Sequence, residues 1–364
     1  MLSLLASIYG KVADLRNRLY DSGVFESFDL GAPTISIGNI TAGGTGKTPL
    51  VAHVAKCLAA GGQKVCILTR GYGRKDAKNR VLVSDGEQIL ASPAEAGDEP
   101  LELAQKLIGK AIVIADADRV SAADWAKRKF GATAFVLDDA FQHRKVRRDL
   151  DIVCIDATDP FGGGKMLPAG RLREPLSNLN RTDMVVITRA NLAKDISDLR
   201  FEISELNAAA AIFTAKNDLK NVARLEEFLA KIQRTQREVK DITRALPLAE
   251  TAPKSTSTVA FCGLGNHENF FEQLRREKFS VAAGKTFRDH HIYTQKDVIE
   301  IEAIAREKGA EMLITTAKDA VKLSDLKFEI PCFVAEIEMI ISDADAFEAL
   351  LHRFFVGGAF LSPQ

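Results

Sequence analysis

Gly38-Asn39-Ile40-Thr41-Ala42-Gly43-Gly44-Thr45-Gly46-Lys47-Thr48-Pro49 is the stretch on which the reading of the whole chain turns. The run before it, Pro33-Thr34-Ile35-Ser36-Ile37, is rich in β-branched residues and reads as a strand, and residues 50–60 after it read as a helix. A strand, a Gly-rich turn, Gly-Lys-Thr and a helix make a phosphate-binding loop in its proper context. Backbone N–H groups of such a turn converge on phosphate, aided by the positive end of the helix dipole. In that arrangement Thr41, Ala42, Gly43, Gly44, Thr45, Gly46, Lys47, Thr48 and Pro49 form the nucleotide-binding segment. Lys47 reaches the β- and γ-phosphates and Thr48 ligates Mg²⁺. The glycine usual five residues before Gly46 is Thr41 here. The alternative is a Gly-rich turn that binds no nucleotide; the flanking strand and helix argue against it.

With 364 residues the chain can bury a large core in one or two domains. Hydrophobic residues at 46% and charged residues at 27% are ordinary for a globular protein. The formal net charge is zero, so nothing global points to a nucleic-acid partner. None of the five cysteines forms a Cys-x-x-Cys pair. Cys66, Cys154, Cys262 and Cys332 sit in apolar runs, which favours buried, reduced thiols over a metal role.

No apolar run is long enough to cross a membrane. At the N-terminus, Met1, Leu5, Ile8, Val12, Leu15 and Leu19 recur at helical spacing, with Lys11, Arg16 and Arg18 off that stripe. Lys11 falls too early for a cleavable signal peptide. Periodicity alone favours a helix packed on its own domain over one lying in a membrane interface.

Strand-like runs at 34–37, 65–68, 111–114, 134–137, 152–155 and 185–188 alternate with helical stretches, which predicts a mainly parallel sheet covered by helices. Functional groups then gather beyond the strands' C-terminal ends. The expected organisation is an N-terminal amphipathic helix (1–28), a phosphate-loop domain (29–214), a charged linker or insertion (215–257) and a smaller C-terminal α/β domain (258–364). Strands are expected near 259–262, 312–315 and 332–335.

Phe135-Val136-Leu137-Asp138-Asp139 is an apolar strand ending in paired carboxylates, where a phosphate-loop enzyme needs an acid for its Mg²⁺. Asp138 is the candidate for the metal shell; Asp139 shares it or faces substrate. Gly97-Asp98-Glu99-Pro100 precedes a helical run, so Asp98 reads either as an N-cap or as a general base. Asp289-His290-His291 offers an orienting partner for such a base. Arg119, Arg144, Arg147, Arg148, Arg171 and Arg173 are candidates for clamping anions.

These segments together resemble the tetraacyldisaccharide 4′-kinase family of lipid A synthesis. The matching pieces are residues 37–49, Thr69-Arg70-Gly71-Tyr72-Gly73, Gly97-Asp98-Glu99-Pro100, 138–144 and Arg148-Asp149-Leu150-Asp151. They continue with Leu167-Pro168-Ala169-Gly170, Leu172-Arg173-Glu174-Pro175, 261–266, Asp289-His290-His291 and Thr316-Ala317-Lys318-Asp319, in family order from about residue 30 to 320. Thr41 belongs to the family's version of the loop. Arg171, Ala140 and His267 depart from the family's usual Pro, Gly and Pro, and the charged insertion is longer than the family leads one to expect.

The resemblance implies transfer of the ATP γ-phosphoryl group, with Mg²⁺, to the 4′-hydroxyl of an acylated glucosamine disaccharide 1-phosphate, giving lipid IVA. It implies Asp98 as catalytic base, oriented by His290, with Lys47 and Asp139 at the transferring group. Arg70, Glu99, Arg119, Gln142, His143, Arg173 and Glu174 are the expected substrate residues. It also implies a peripheral monomer on the cytoplasmic face of the inner membrane, which reverses the preference drawn from the periodicity of the N-terminal helix. A phosphate-loop ligase acting on a carboxylate and a membrane-associated ATPase switch are the rival readings.

Overall fold

In the computed structural model, residues 2–72, 74–237, 252–265, 267–289 and 291–356 are described. In chain order the elements are α1 (Leu2–Asp21), β1 (Thr34–Asn39), α2 (Lys47–Ala60), β2 (Val65–Thr69), β3 (Val81–Ser84), α3 (Pro93–Ala96), α4 (Asp98–Lys106) and β4 (Ala111–Ala115). Next come α5 (Arg119–Phe130), β5 (Ala134–Asp138), β6 (Leu150–Asp156), β7 (Met184–Thr188), α6 (Ser197–Leu206), β8 (Ala211–Arg224) and α7 (Leu225–Arg237). The chain continues with β9 (Ser257–Cys262), α8 (His267–Arg276), β10 (Ser280–Thr286), α9 (Gln295–Lys308), β11 (Met312–Thr316), α10 (Ala317–Ala320), β12 (Cys332–Ile341) and α11 (Ala344–Val356). Two compact units result: Met1–Lys216 with Met339–Gln364, and Asn217–Glu338.

In the first unit β1 lies between β5 and β6, paired in parallel with both. The sheet runs outward through β2 and β4 on one side and through β7 and β8 on the other, all parallel. At the edge, β3 pairs antiparallel with β4. The inner strands are buried along their whole length because helices cover both faces, which is why they read as unbroken apolar runs. Side chains still alternate. Val65 and Ile67 of β2 join Leu50, Val54 and Leu58 of α2 and Phe347 and Leu351 of α11 in one core. Cys66 and Leu68 join Ala122, Ala123 and Ala126 of α5 in the opposite core.

The second unit is a parallel sheet in the order β10-β9-β11-β12. Phe261, Leu313 and Val334 pack with Ile301 and Ala305 of α9 on one side, while Phe270, Phe271 and Leu274 of α8 fill the other. α9 starts on a Thr294–Asp297 capping box and stops at Gly309 in the left-handed region. The segment read as a linker carries β8 and α7, and its residues 238–251 lie outside the described ones.

Gly38, the last residue but one of β1, tolerates no side chain. A Cβ on Gly38 would lie 2.5 Å from both the backbone N and the Cβ of Phe141, itself fully buried. Gly38→Ala should therefore cost about 3 kcal/mol and lower the melting temperature by at least about 5 °C. Gly44→Ala, where a Cβ meets nothing within 4 Å, should leave the melting temperature within about 1 °C of the parent. Equal melting temperatures for the two variants would contradict this packing.

Candidate active site

The turn after β1 is held from behind by its carbonyls. Ile40 O accepts from the Arg173 N–H at 2.8 Å, while the Ala42 N–H donates to Arg171 O at 2.7 Å. Gly44 O accepts from Arg189 at 2.8 Å, and Thr45 O accepts from the Thr188 hydroxyl at 2.8 Å. The same Arg189 pairs with Asp156 at the end of β6. Anchoring carbonyls this way is what a loop needs if its N–H groups are to face an anion. Gly46 precedes α2 with φ +83°, a left-handed conformation, and a Cβ there would press within 3.2 Å of Thr188. At Gly43 and Gly44 a Cβ would meet nothing within 4 Å, so the loop's rim is open. The Thr45 hydroxyl is buried without a hydrogen-bond partner among the described residues.

Lys47, the first residue of α2, is only 9% exposed. Its Nζ lies 3.5 Å from Asp139 Oδ1. Arg173 closes on the same carboxylate, donating to its two oxygens at 2.8 and 3.0 Å. Burial alone would raise the Asp139 pKa, but Lys47 and Arg173 outweigh it and hold this carboxyl below its ordinary range. Asp139 also adopts φ +48°, a left-handed conformation that a non-glycine residue keeps only where its surroundings enforce it.

Asp138 ends β5 in register with Ile37 and is buried. It accepts from the Thr69 hydroxyl at 2.9 Å. Burial, the Glu99 carboxylate and the Asp139 carboxylate push its pKa up to about 7, against the pull of Lys47. A buried acid crowded by two other carboxylates suits a divalent cation.

Around this pair, Gln142 donates to Asn39 O at 3.0 Å and accepts from Arg173 at 3.4 Å. Arg119 opens α5 and is buried. Burial, reinforced by Arg70, lowers its pKa to about 10, while Asp138, Asp139 and Asp116 oppose the shift. His143 is neutral: burial, then Arg119, Arg148, Arg16 and Lys145, bring it down to about 4. Arg70 itself is exposed. Asp98 is the first residue of α4 and half-buried; the N-cap is Gly97, where a Cβ would lie 2.6 Å from Tyr72 O. Glu174 faces inward, its Oε2 accepting from Asn17 at 2.8 Å, Asn178 at 3.0 Å and Arg181 at 3.0 Å. His290, like Gly73 and Asn266, lies outside the described residues, so the Asp98–His290 pair is not placed. In the second unit Asp319 accepts from the Thr316 hydroxyl at 2.7 Å and the Gly263 N–H at 3.1 Å, and Lys318 pairs with Asp289 at 3.0 Å.

Several arginines read as anion clamps are otherwise engaged. Arg148 donates to Phe141 O at 2.9 Å and Ala140 O at 3.1 Å and pairs with Asp151 at 3.0 Å. Arg144 holds Asn17 O at 2.9 Å and Asp21 at 2.6 Å. Conversely, the sequence reading gave no site role to Thr69, Thr188 or Arg189. The strand-end rule that found Asp138 would have found them too, because each stands at or just after the C-terminus of a buried strand.

A family model described as LpxK, tetraacyldisaccharide-1-P 4′-kinase, matches residues 1–355. The chain belongs to the tetraacyldisaccharide-1-P 4′-kinase family. Membership makes it a kinase. It is 39% identical to the tetraacyldisaccharide 4′-kinase of Halothermothrix orenii over 89% of this chain and 83% of that one. It is 37% identical to that of Geobacter metallireducens over 97% of each. Among solved structures it is similar to LpxK from Aquifex aeolicus, described as an "apo" form in complex with ATP. That match has a TM-score of 0.72 and 30% identity over 96% of this chain and 97% of that one. The mainly parallel α/β fold expected from the alternation of strand-like and helical runs is thus the fold of this kinase family.

The raised Asp138 pKa has a measurable consequence. Between the ordinary 3.8 and the folded value of about 7, the native state binds more protons than the unfolded chain. Stability from this group is therefore lost as pH rises through that window. Without nucleotide or divalent cation, Asp138→Asn should flatten the decline of melting temperature between about pH 4 and 7 relative to the parent. Parallel profiles would assign the decline to other acids whose pKa is raised, such as Asp151 and Asp183.

Proposed function

We propose that this family member transfers the γ-phosphoryl group of ATP to the 4′-hydroxyl of a tetraacylated glucosamine disaccharide 1-phosphate, at the cytoplasmic face of the inner membrane. The observation that carries the reading is Lys47 at the head of α2, held 3.5 Å from Asp139 beside the buried Asp138. The ATP bound to the Aquifex relative and the names of the curated relatives support it.

Phosphoryl transfer asks the protein mainly for positioning and charge stabilisation. The turn of residues 41–46 would cradle the phosphates, and Thr48 and Asp138 would hold Mg²⁺, which when bound neutralises charge on the phosphate oxygens. Asp139 keeps the Lys47 ammonium and the Arg173 guanidinium turned to one point, so both cations are arranged before nucleotide arrives. Asp98, beside Glu99 at the start of α4, takes the proton from the acceptor hydroxyl. Lys47→Ala should lower kcat by about a hundredfold or more, the scale for one strong transition-state donor. Asp98→Asn should lower kcat by at least about a hundredfold while ATP affinity changes little. Parent-like turnover in either folded variant would remove that residue from the scheme.

α1 supplies the membrane side. Its small residues Ala6 and Gly10 and the polar Asn17 are buried, while Ile8, Val12 and Leu15 are 51%, 60% and 59% exposed. A Cβ on Gly10 would meet Met166 at 3.5 Å, Asn17 donates to Glu174, and Arg16 donates to Gln142 O. The helix is thus bolted down by its narrow polar side and shows its apolar stripe outward, with Val24 and Phe25 continuing it. No described helix is long and apolar enough to cross a membrane. An outward apolar stripe with Lys11 and Arg18 exposed on its flank fits a lipid interface, each buried side chain contributing at most about 1.5–3 kcal/mol. Replacing Ile8 and Val12 together by Glu should release the protein from anionic vesicles and lower activity on vesicle-embedded substrate. ATP binding and melting temperature should hold. A drop in melting temperature with vesicle binding unchanged would mean that the stripe packs on the protein instead.

A further inference from the structure

Away from the phosphate loop, two helices of the first unit bring four metal-ligating side chains to one cavity of about 420 Å³. His53 and Cys57 are four residues apart on α2, and Glu348 and His352 are four apart on α11, so each pair shares one helix face. One ligand atom each from His53, Cys57 and Glu348 lies within 4.8 Å of the other two, and all three residues are half-buried. The Cys57 thiol donates to Glu348 Oε1 at 3.6 Å. His352 lines the same cavity one turn beyond Glu348. Gly61 makes room for it, since a Cβ there would meet His352 Cε1 at 3.2 Å.

We propose that His53, Cys57 and Glu348 bind a divalent transition-metal ion, Zn²⁺ by the chemistry of the donors, with His352 as fourth ligand. Nitrogen, sulfur and carboxylate donors in one cluster suit Zn²⁺, whereas Mg²⁺ and Ca²⁺ take oxygen alone. Two i,i+4 pairs on facing helices are a standard way to build such a site. In the metal-free site the Cys57 thiol carries a proton directed at Glu348. Zinc binding forms the sulfur–zinc bond and releases that proton to solvent, and no electron is transferred. The ion would tie α11 to α2, the helix that carries Lys47 at its other end.

The full chain, stripped with a chelator, is titrated with Zn²⁺ against a chromophoric competitor and, separately, with Co²⁺. One equivalent of each metal should bind, with a thiolate-to-cobalt charge-transfer band. Cys57→Ser should abolish the band and weaken zinc binding by at least about tenfold. Alkylation of the unmutated protein gives a readout that needs no variant. Cys66, Cys154, Cys262 and Cys332 are buried, so native-state labelling follows Cys57, and Zn²⁺ should slow it about tenfold or more. The absence of stoichiometric binding, binding indifferent to both Cys57→Ser and His53→Ala, or unprotected alkylation would each overturn the site.

Discussion

The contact on which the active site depends is the carboxylate of Asp139 between the Lys47 ammonium and the Arg173 guanidinium. Lys47 is nearly buried, and a buried cation is costly unless an anion faces it. Asp139 provides that anion, and the two cations in turn keep it ionised. The consequence falls on its neighbour. Asp138 lies deeper, meets the charge of Asp139 and Glu99, and is driven toward its neutral form. Two adjacent acids thus hold different protonation tendencies by environment alone. One is committed to organising cations of the protein. The other, on the proposed function, would be ionised by the cation it holds.

The two carboxylates nevertheless stay close enough to act on each other, and backbone geometry bears on that. In a continuing strand, adjacent side chains would point to opposite faces of the sheet. Asp139 instead turns into the left-handed region directly after β5, which carries its carboxylate to the strand's C-terminal edge. The turn is locked from both sides. Ala140 N donates to Ile37 O at 3.2 Å, and Phe141 is wedged against Gly38. Arg148 takes the carbonyls of Ala140 and Phe141. The strain at Asp139 is therefore maintained by the same contacts that seat the end of β1, and the phosphate loop starts there.

The central strands were legible because helices cover both their faces, which writes them as short apolar runs ended by polar residues. β8 was not. Ala211–Arg224 carries charges along a half-buried surface, so its composition read as a charged linker rather than a strand. The strand-end rule found Asp138 and Asp139 but could not apportion their roles, since the left-handed turn and the approach of Arg173 come from distant segments. Asp98 was readable as the start of a helix, yet the capping position belongs to Gly97, whose φ of +86° and close approach to Tyr72 O exclude a side chain. Glu174 carried no sign that its carboxylate would face Asn17, because that contact joins residues 157 positions apart.

The N-terminal helix shows how a periodic pattern leaves its meaning open. A 3.6-residue stripe of Leu, Ile and Val says that one face is apolar, and says nothing about whether protein or lipid covers it. The deciding residues are the unremarkable ones on the other side. Gly10 brings the helix backbone close to Met166, Ala6 is buried, and Asn17 reaches a buried carboxylate. Once this face is used for docking, the large apolar residues are necessarily turned outward, because they lie on the opposite side of the same cylinder. Arg16, which composition alone would assign to lipid headgroups, is drawn to the carbonyl of Gln142. Gln142 in turn accepts from Arg173, the cation on Asp139. The helix that presents the apolar surface is thus linked to Lys47 through Gln142, Arg173 and Asp139 in turn. On the proposed function, this attachment would set the distance between a bilayer-held substrate and the candidate site.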